Sequence, residues 1–398
     1  MRALISGAGV AGPALAIALG RHGIEATVVE TAQKLRTSGF AVDFRGTTHM
    51  SVLTELGVLD ELKAVQTHGG AMQSVDEHGR EIFRLPAEFA GGEVEVQRSD
   101  LSRILYERSL RHADYLFGDT VTNLAETAAG VRVDFAHAES QMFDVVIGAD
   151  GLHSGVRRLA FGPERDYVKH LGYYIAGWDL ANNRGYGTTA MQYNVPGRMA
   201  SVSADFRDPS KAGALFVFTG ERQDVDWRDL DRQRRMIRDA FGGMRWHVPD
   251  LLDTLDDVEE MYFDSVSRVR APQWTNGRVA LLGDAAWGVT LGGMGVGTGI
   301  VGAYVLAGEL SRARDDHRAA FAAYEQRMRA YAGRWQKGAS PGQFLAPSSA
   351  ALLWLRNAMF STRAVQRMMV AGTPSAFKRA PNSRIARLVP SQPGRPSS

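Results

Sequence analysis

The 398-residue chain contains no cysteine. Disulfides, thiolate metal ligands and covalent cysteinyl cofactor links are therefore excluded. Net charge is also scarce: 46 Lys and Arg stand against 44 Asp and Glu, leaving +2. That balance argues against a nucleic-acid-binding surface. Part of the basic excess is local, because Lys378, Arg379, Arg384, Arg387 and Arg395 fall near the C-terminus. Long apolar runs are missing too. The best candidate, Ile300 to Leu310, is rich in Gly and Ala and contains Glu309. It falls short of the roughly 18 apolar residues that a membrane span needs. An apolar run already begins at residue 2, which leaves no space for a leader, so a cytoplasmic protein is expected. His49, His112, His153, His170 and His247 are scattered without ligand spacing. They read as surface or capping residues, and no metal site is expected.

What is present starts at once. Arg2 to Ser6 is an apolar run, Gly7-Ala8-Gly9-Val10-Ala11-Gly12 follows it, and Ala26 to Val29 is a second apolar run ending on Glu30. Strand, glycine-rich turn, helix, strand and terminal acid form a dinucleotide-binding arrangement. Gly7 permits the tight turn, Gly9 lets backbone approach a pyrophosphate, and Gly12 lets the helix pack on the strand. The helix expected over Gly12 to Arg21 offers N–H groups and a partial positive charge to phosphates at its N-terminus. Glu30 can accept ribose hydroxyls, and an acid there disfavours a 2′-phosphate.

The remaining pattern divides the chain. Gly46 to Lys63 has leucines at helical spacing, Met72 to Leu85 alternates around His78-Gly79 as a hairpin would, and Arg98-Ser99-Asp100 opens a helix. Residues 166–275 carry aromatic-rich alternating runs, which predict an antiparallel sheet, and a helix is expected over 227–241. Val279 to Leu282 then returns to the first pattern and ends on Gly283-Asp284. Helices are expected over 317–337 and 352–369, and the Pro-, Ser- and Arg-rich stretch 374–398 is expected to be disordered. The resulting organisation is a discontinuous cofactor-binding domain (1–165 and 276–315), an inserted substrate domain (166–275), C-terminal helices (316–373) and a tail.

Two further segments refine this. Asp144-Val145-Val146-Ile147-Gly148-Ala149-Asp150-Gly151-Leu152-His153-Ser154-Gly155-Val156-Arg157 is one, and Gly277 to Ala286, with its Gly283-Asp284-Ala285-Ala286, is the other. With the opening glycine motif they resemble, in order and spacing, the three fingerprints of single-component flavin monooxygenases related to para-hydroxybenzoate hydroxylase. Leu35 to Gly46, Glu95 to Leu101 and Val301 to Leu310 are similar to the tetracycline-inactivating and secondary-metabolism branch. The resemblance implies an α/β fold: a GR2-type Rossmann-like FAD-binding domain with an inserted, mostly antiparallel substrate domain and C-terminal helices.

It also implies a mechanism. NAD(P)H, bound only transiently, would reduce FAD, O2 would add at the flavin C4a position, and the hydroperoxide would pass one oxygen atom to the substrate. The residues implied for FAD are Gly7, Gly9, Ala11, Gly12, Glu30, Arg36, Arg98, Val121, Asp284, Gly295 and Val296. No catalytic side chain is needed, because the cofactor carries the chemistry. A surface pairing of Arg98 with Asp100 is the competing role for that arginine. Gly297-Thr298-Gly299-Ile300-Val301-Gly302 also fits GxGxxG, but no second strand with an acid follows it, so it reads as a decoy. The chain departs from the family at Trp287, usually His, and at Leu291, usually Pro, in a loop one residue shorter than usual.

Alternation and aromaticity make Tyr173, Trp178, Gln192, Tyr193, Phe216 and Phe218 the candidate substrate residues. They favour a small, aromatic or polycyclic, mostly apolar molecule, with no membrane or nucleic-acid partner. Hydroxylation, epoxidation and Baeyer–Villiger insertion stay open, as does the oligomeric state. A flavin reductase or dehydrogenase on the same scaffold, and a degenerate non-catalytic flavoprotein, are the other readings.

Overall fold

A computed structural model describes residues 1–35, 40–67, 70–87, 92–223, 229–292, 295–313, 316–336, 341–362 and 365–366. Arg36 and the stretch 374–398 lie outside the described residues.

The first sheet has six strands, in the order Thr275–Asn276, Val279–Leu281, Val145–Gly148, Arg2–Ser6, Glu25–Glu30, Ala113–Phe117. Only the Thr275–Asn276 edge is antiparallel. The central strands are apolar throughout because both faces are covered. Leu4, Ile5, Val146 and Ile147 are wholly buried. The helix Ala11–Gly20 crosses between the first two strands and packs against Gly295–Ala313 and Arg98–Ser109. A meander, Val121–Glu126, Val131–Phe135 and Gln141–Phe143, forms a separate small sheet. None of the described helices is long and apolar enough to cross a membrane.

The second sheet has seven strands: Tyr262–Val269, Val168–Ala181, Lys211–Thr219, Arg198–Ala204, Ala190–Val195, Met72–Val75, Glu81–Leu85. The pairing is antiparallel except where Ala190–Val195 lies parallel to Met72–Val75. The expected hairpin at 72–85 is present, but it extends this sheet rather than the cofactor-binding part to which 1–165 was assigned. The reason is apolar surface. Val75 joins the core of the second sheet, and Phe83 and Leu85 pack under Phe360 of the helix Ala350–Ser361.

The faces of the second sheet differ. On one, Tyr174, Ala176, Trp178, Tyr193, Phe216 and Phe218 pack beneath the helices Leu230–Phe241 and Val248–Asp253. On the other, Tyr173, Ile175, Met199 and Val217 meet Phe40, Leu291 and Ala346. This second face is the one turned toward the glycine-rich segments.

Local breaks explain the remaining differences. The helix expected over 46–63 is two, Gly46–Leu56 and Leu59–Ala64, because Gly57 takes the left-handed conformation (φ 73°) that ends a helix. The helix expected from 227 begins at Leu230, where Asp229 accepts from the Arg232 N–H at 2.9 Å. His317–Gln336 packs Ala320, Phe321, Tyr324 and Met328 inward, and the Tyr324 hydroxyl donates to the Leu281 carbonyl at 2.8 Å. That helix braces the first sheet.

Candidate functional site

The glycine motif is built as its spacing predicts. Gly7 has φ +108°, and a side chain there would meet the Ala149 carbonyl at 2.5 Å. A Cβ on Gly12 would sit 1.9 Å from the Gly7 carbonyl oxygen, so turn and helix close on each other. Gly9 differs, since a Cβ there would meet nothing within 4 Å. Its backbone borders open space at the start of the helix, as close approach by a ligand requires. Glu30 accepts from the Ala8 N–H at 2.8 Å with one oxygen and from the Ala32 N–H at 2.9 Å with the other. The acid thus ties the tip of its strand to the glycine turn and keeps a lone pair on each oxygen.

Beside Glu30 lies an open depression of about 320 Å3, lined by Thr31, Ala32, Gly118, Asp119, Thr120, Ala136 and His137. Val121 is buried just beyond it. Asp119, which the sequence reading missed, accepts four backbone N–H groups, from Thr120, Ala136, His137 and Ala138. Desolvation pushes its pKa up, but these bonds outweigh that and hold the carboxyl below its ordinary value.

At the other end, Asp284 opens the short helix Asp284–Trp287. Its Oδ1 is buried without a hydrogen-bond partner, and a Cβ on Gly295 would lie 3.1 Å from that oxygen. Burial holds the Asp284 carboxyl above its ordinary pKa, partly offset by the Arg98 charge. Gly295 and Val296 start the helix Gly295–Ala313 there. Arg98 has no hydrogen bond or ion pair among the described residues. Asp100 pairs instead with Arg103 at 3.6 Å and Arg207 at 2.5 Å, which removes the surface pairing that competed for Arg98. An orphaned buried carboxylate oxygen, an uncommitted guanidinium and an open glycine turn are groups a polar, phosphate-bearing cofactor would complete.

The second fingerprint holds these ends together. Asp150 accepts from the Val156 N–H at 3.0 Å and from the Ser154 hydroxyl, and burial raises its pKa. Ser154 caps the helix Gly155–Ala160. Arg157, wholly buried, donates to the Ala285 carbonyl at 2.8 Å and the Leu152 carbonyl at 2.6 Å, so it links the second fingerprint to the third. His153, expected as a surface or capping residue, is half-buried. It lies between Glu164 and Asp264, 3.1 Å from each. Burial pushes its pKa down, but the two carboxylates outweigh this and raise it to about 9. His49, also expected outside, is 2% exposed, and burial lowers its pKa to about 4. Its Nδ1 accepts from the Arg45 N–H, which leaves Nε2–H to donate to the Tyr331 hydroxyl.

A family model described as "FAD binding domain" matches residues 1–337. The chain belongs to that family, the flavin-dependent monooxygenases related to para-hydroxybenzoate hydroxylase. An uncharacterized protein of Mycobacterium tuberculosis is 37% identical over 345 residues, covering 84% of this chain and 91% of that one. A flavin-dependent monooxygenase of Legionella longbeachae is 32% identical over 343 residues, covering 85% of this chain and 87% of its own. The crystal structure of tetracycline destructase Tet(51) superposes with a TM-score of 0.81 at 29% identity, covering 94% of this chain and 97% of that one.

Within this flavin monooxygenase the departures from the family pattern have physical settings. Trp287 is 3% exposed, lies tilted against Trp274 (4.6 Å between centroids) and donates to Thr298 Oγ1 at 3.1 Å. It is core. Leu291 has φ 59° and packs toward the second sheet, a backbone conformation that proline cannot adopt. The decoy glycines serve packing: Gly297 faces His49, Gly299 faces Ala11, and Gly302 faces Trp287 and Leu282.

Of the six substrate candidates, Tyr173 and Gln192 lie on the face of the monooxygenase sheet turned toward the glycine motifs. Trp178, Tyr193, Phe216 and Phe218 lie on the opposite face, under the helices. Alternation gave the two faces but not which one is covered by helices. Phe40 was missed. Its ring sits against Gly177, where a Cβ would lie 2.5 Å from it, and it packs edge-on to Tyr262 at 5.3 Å.

Proposed function

We propose that this monooxygenase inserts one oxygen atom from O2 into an aromatic or polycyclic small molecule, using FAD with NAD(P)H as a transient reductant. Asp284 carries the reading, because its buried Oδ1 has no partner and faces Gly295, with Arg98 uncommitted nearby. Gly7, Gly9, Ala11 and Gly12 would cradle the pyrophosphate, Glu30 would accept from the adenosine ribose, and Val121 would flank the adenine end. Asp284 would accept from the ribityl chain, while Gly295 and Val296 would present N–H groups at a helix N-terminus where negative charge develops. Arg98 would compensate negative charge beside Asp284. Bound FAD supplies the hydride acceptor and the activation of dioxygen.

The protein's remaining task is to hold substrate close and keep water out. The sheet face bearing Tyr173, Ile175, Val217, Phe40 and Leu291 is apolar enough for that. The likeness to a tetracycline destructase favours a polycyclic substrate.

The test uses the purified full chain loaded with FAD, NADH or NADPH, and isotopically labelled dioxygen, with tetracycline and alizarin as first probes. Label in the organic product is expected. Nicotinamide oxidation without label in any product would favour a reductase or dehydrogenase. Bound FAD that no nicotinamide reduces would point to a non-catalytic flavoprotein.

A further inference from the structure

The helix Ala350–Ser361 sits with its faces reversed. A surface helix ordinarily turns apolar residues inward and charges outward. Here the inner face, at spacings of three and four, is Leu353, Arg356, Asn357 and Phe360. Arg356, the only charged residue in the helix, is 9% exposed. It donates to the Leu345 carbonyl at 3.0 Å and to the side-chain oxygens of Asn194 and Asn357 at 2.9 Å, and none of these partners is a carboxylate. The outer face carries Leu352, Trp354, Leu355 and Met359, which are 40%, 71%, 49% and 46% exposed. Leu352, Leu355 and Met359 form one stripe with Trp354 beside it. Ile82, whose carbonyl accepts from the Ser361 hydroxyl at 3.2 Å, and Phe344, edge-on to Phe360, are exposed as well. Large apolar side chains clustered outside mark a surface that meets something apolar.

The sequence that follows this helix is charged with one sign. From Thr362 to Ser398 there are seven Lys and Arg and no Asp or Glu, and the last acid of the whole chain is Glu325. The net charge is only +2, so the rest of the chain is net negative. The basic excess is therefore gathered directly after the exposed apolar face. An apolar face of this size binds a bilayer only marginally by itself, and a basic segment needs an anionic surface to act on. Together they are the two signals that hold a peripheral protein on an anionic membrane. Trp, the most exposed of the four, is the residue that settles at headgroup level. A second copy of the chain fits less well, because a two-fold contact through this helix would set two basic segments side by side.

We infer that the helix Ala350–Ser361 is a docking face for an anionic phospholipid surface. Leu352, Trp354, Leu355 and Met359 enter the headgroup region, and the basic residues after Thr362 meet the lipid phosphates. The contact is peripheral. The expectation of no membrane partner rests on the lack of a spanning run, and a helix lying in the interface needs none. The bonds of Arg356 fix the rotation of the helix, which keeps the apolar stripe outward. Leu345, which accepts one of them, also packs against the core of Tyr173 and Ile175. Docking therefore joins the bilayer, where apolar polycyclic molecules partition, to the proposed substrate face. That consequence rests on the substrate reading, but the docking itself does not.

The experiment is co-sedimentation of the FAD-loaded full chain with sucrose-filled vesicles, either phosphatidylcholine alone or phosphatidylcholine with about one-third phosphatidylglycerol. The chain should bind the anionic vesicles at least about tenfold more tightly, and raised salt should weaken this binding. Trp354→Ser combined with Leu355→Ser should lower the affinity about tenfold or more. Both side chains are exposed, so the thermal midpoint should stay unchanged or rise, and the lost affinity does not report misfolding. Lys378→Gln, Arg379→Gln, Arg384→Gln and Arg387→Gln together should cut the preference for anionic vesicles at least about threefold. No binding to anionic vesicles, or binding that survives the loss of Trp354 and Leu355, overturns the inference. So does a monomer–dimer equilibrium in sedimentation velocity that the Trp354→Ser, Leu355→Ser chain loses, because it assigns the face to a second copy. Pelleting of flavin-free chain alone overturns it too, since only misfolded protein would then be adhering. A chain that docks with its flavin but oxygenates no polycyclic molecule removes the substrate reading and leaves the docking in place.

Discussion

Arg207, in the turn that joins the strands Arg198–Ala204 and Lys211–Thr219, donates to Asp100 at 2.5 Å. Asp100 lies in the first turn of the helix that Arg98 opens, so one ion pair ties the substrate sheet to the cofactor side of the molecule. Asp100 is 13% exposed and Arg207 45%, which makes the pair partly screened. Arg207→Ala should therefore cost on the order of 1 kcal/mol or less in thermal unfolding. It should leave FAD retention unchanged and raise KM more than it lowers kcat, because it loosens the sheet relative to the flavin. An equal loss of FAD would show that Asp100 holds Arg98 in place and not the sheet.

Asp284 should show stability and function pulling apart. The apoprotein carries a buried carboxylate with one orphaned oxygen, so Asp284→Ala should gain on the order of 1 kcal/mol in the absence of FAD. The same variant should hold FAD at least about tenfold less tightly, through loss of a charge-assisted hydrogen bond. Denaturant unfolding with and without FAD gives both numbers. A variant destabilised in both states would contradict this account.

The opening glycines should separate into two classes. Gly12→Ala places a methyl group 1.9 Å from the Gly7 carbonyl oxygen, so it should prevent the turn from closing and yield little folded protein. Gly9→Ala meets nothing within 4 Å and should fold with the wild-type thermal midpoint. Its methyl group would occupy the space a pyrophosphate needs, so FAD affinity should drop. Circular dichroism and flavin titration distinguish the two outcomes.

His49 and His153 predict opposite limbs of a pH–stability profile. His153 has a pKa raised to about 9 against 6.5 unfolded, so its ion triad stabilises fully below pH 6.5 and is lost as pH rises through 9. His49 has a pKa lowered to about 4, so the unfolded chain binds a proton that the folded one refuses, and stability falls as pH drops from 6.5 toward 4. His153→Asn should flatten the alkaline limb, with a loss at neutral pH on the order of 1 kcal/mol after solvent screening. An alkaline limb that persists in the variant would assign it elsewhere.

Much of this is legible in the sequence. The apolar runs, the glycine spacing and Glu30 predicted the parallel sheet and its first crossover, because a fully buried strand and a phosphate turn impose local composition. The second and third fingerprints gave Asp150 and Asp284 for the same reason. The failures share a cause. His49 gave no local sign of burial and His153 none of its ion pairs, since their partners Tyr331, Glu164 and Asp264 lie 11 to 282 residues away. The hairpin 72–85 declared its shape but not its sheet.

The substrate face shows the division most clearly. Sequence alone determined that the strands of 166–275 alternate, because successive side chains on a strand must point to opposite faces. Only the tertiary structure decided that helices cover the Trp178 and Phe216 face, and that the face with Tyr173, Ile175 and Val217 meets Phe40 and Leu291. Alternation is a property of the chain itself, whereas the covering of each face belongs to distant elements, the helices of 230–253 on the Trp178 and Phe216 face and residues 341–361 on the other. Which face they take depends on contacts between distant segments, and no local pattern encodes it.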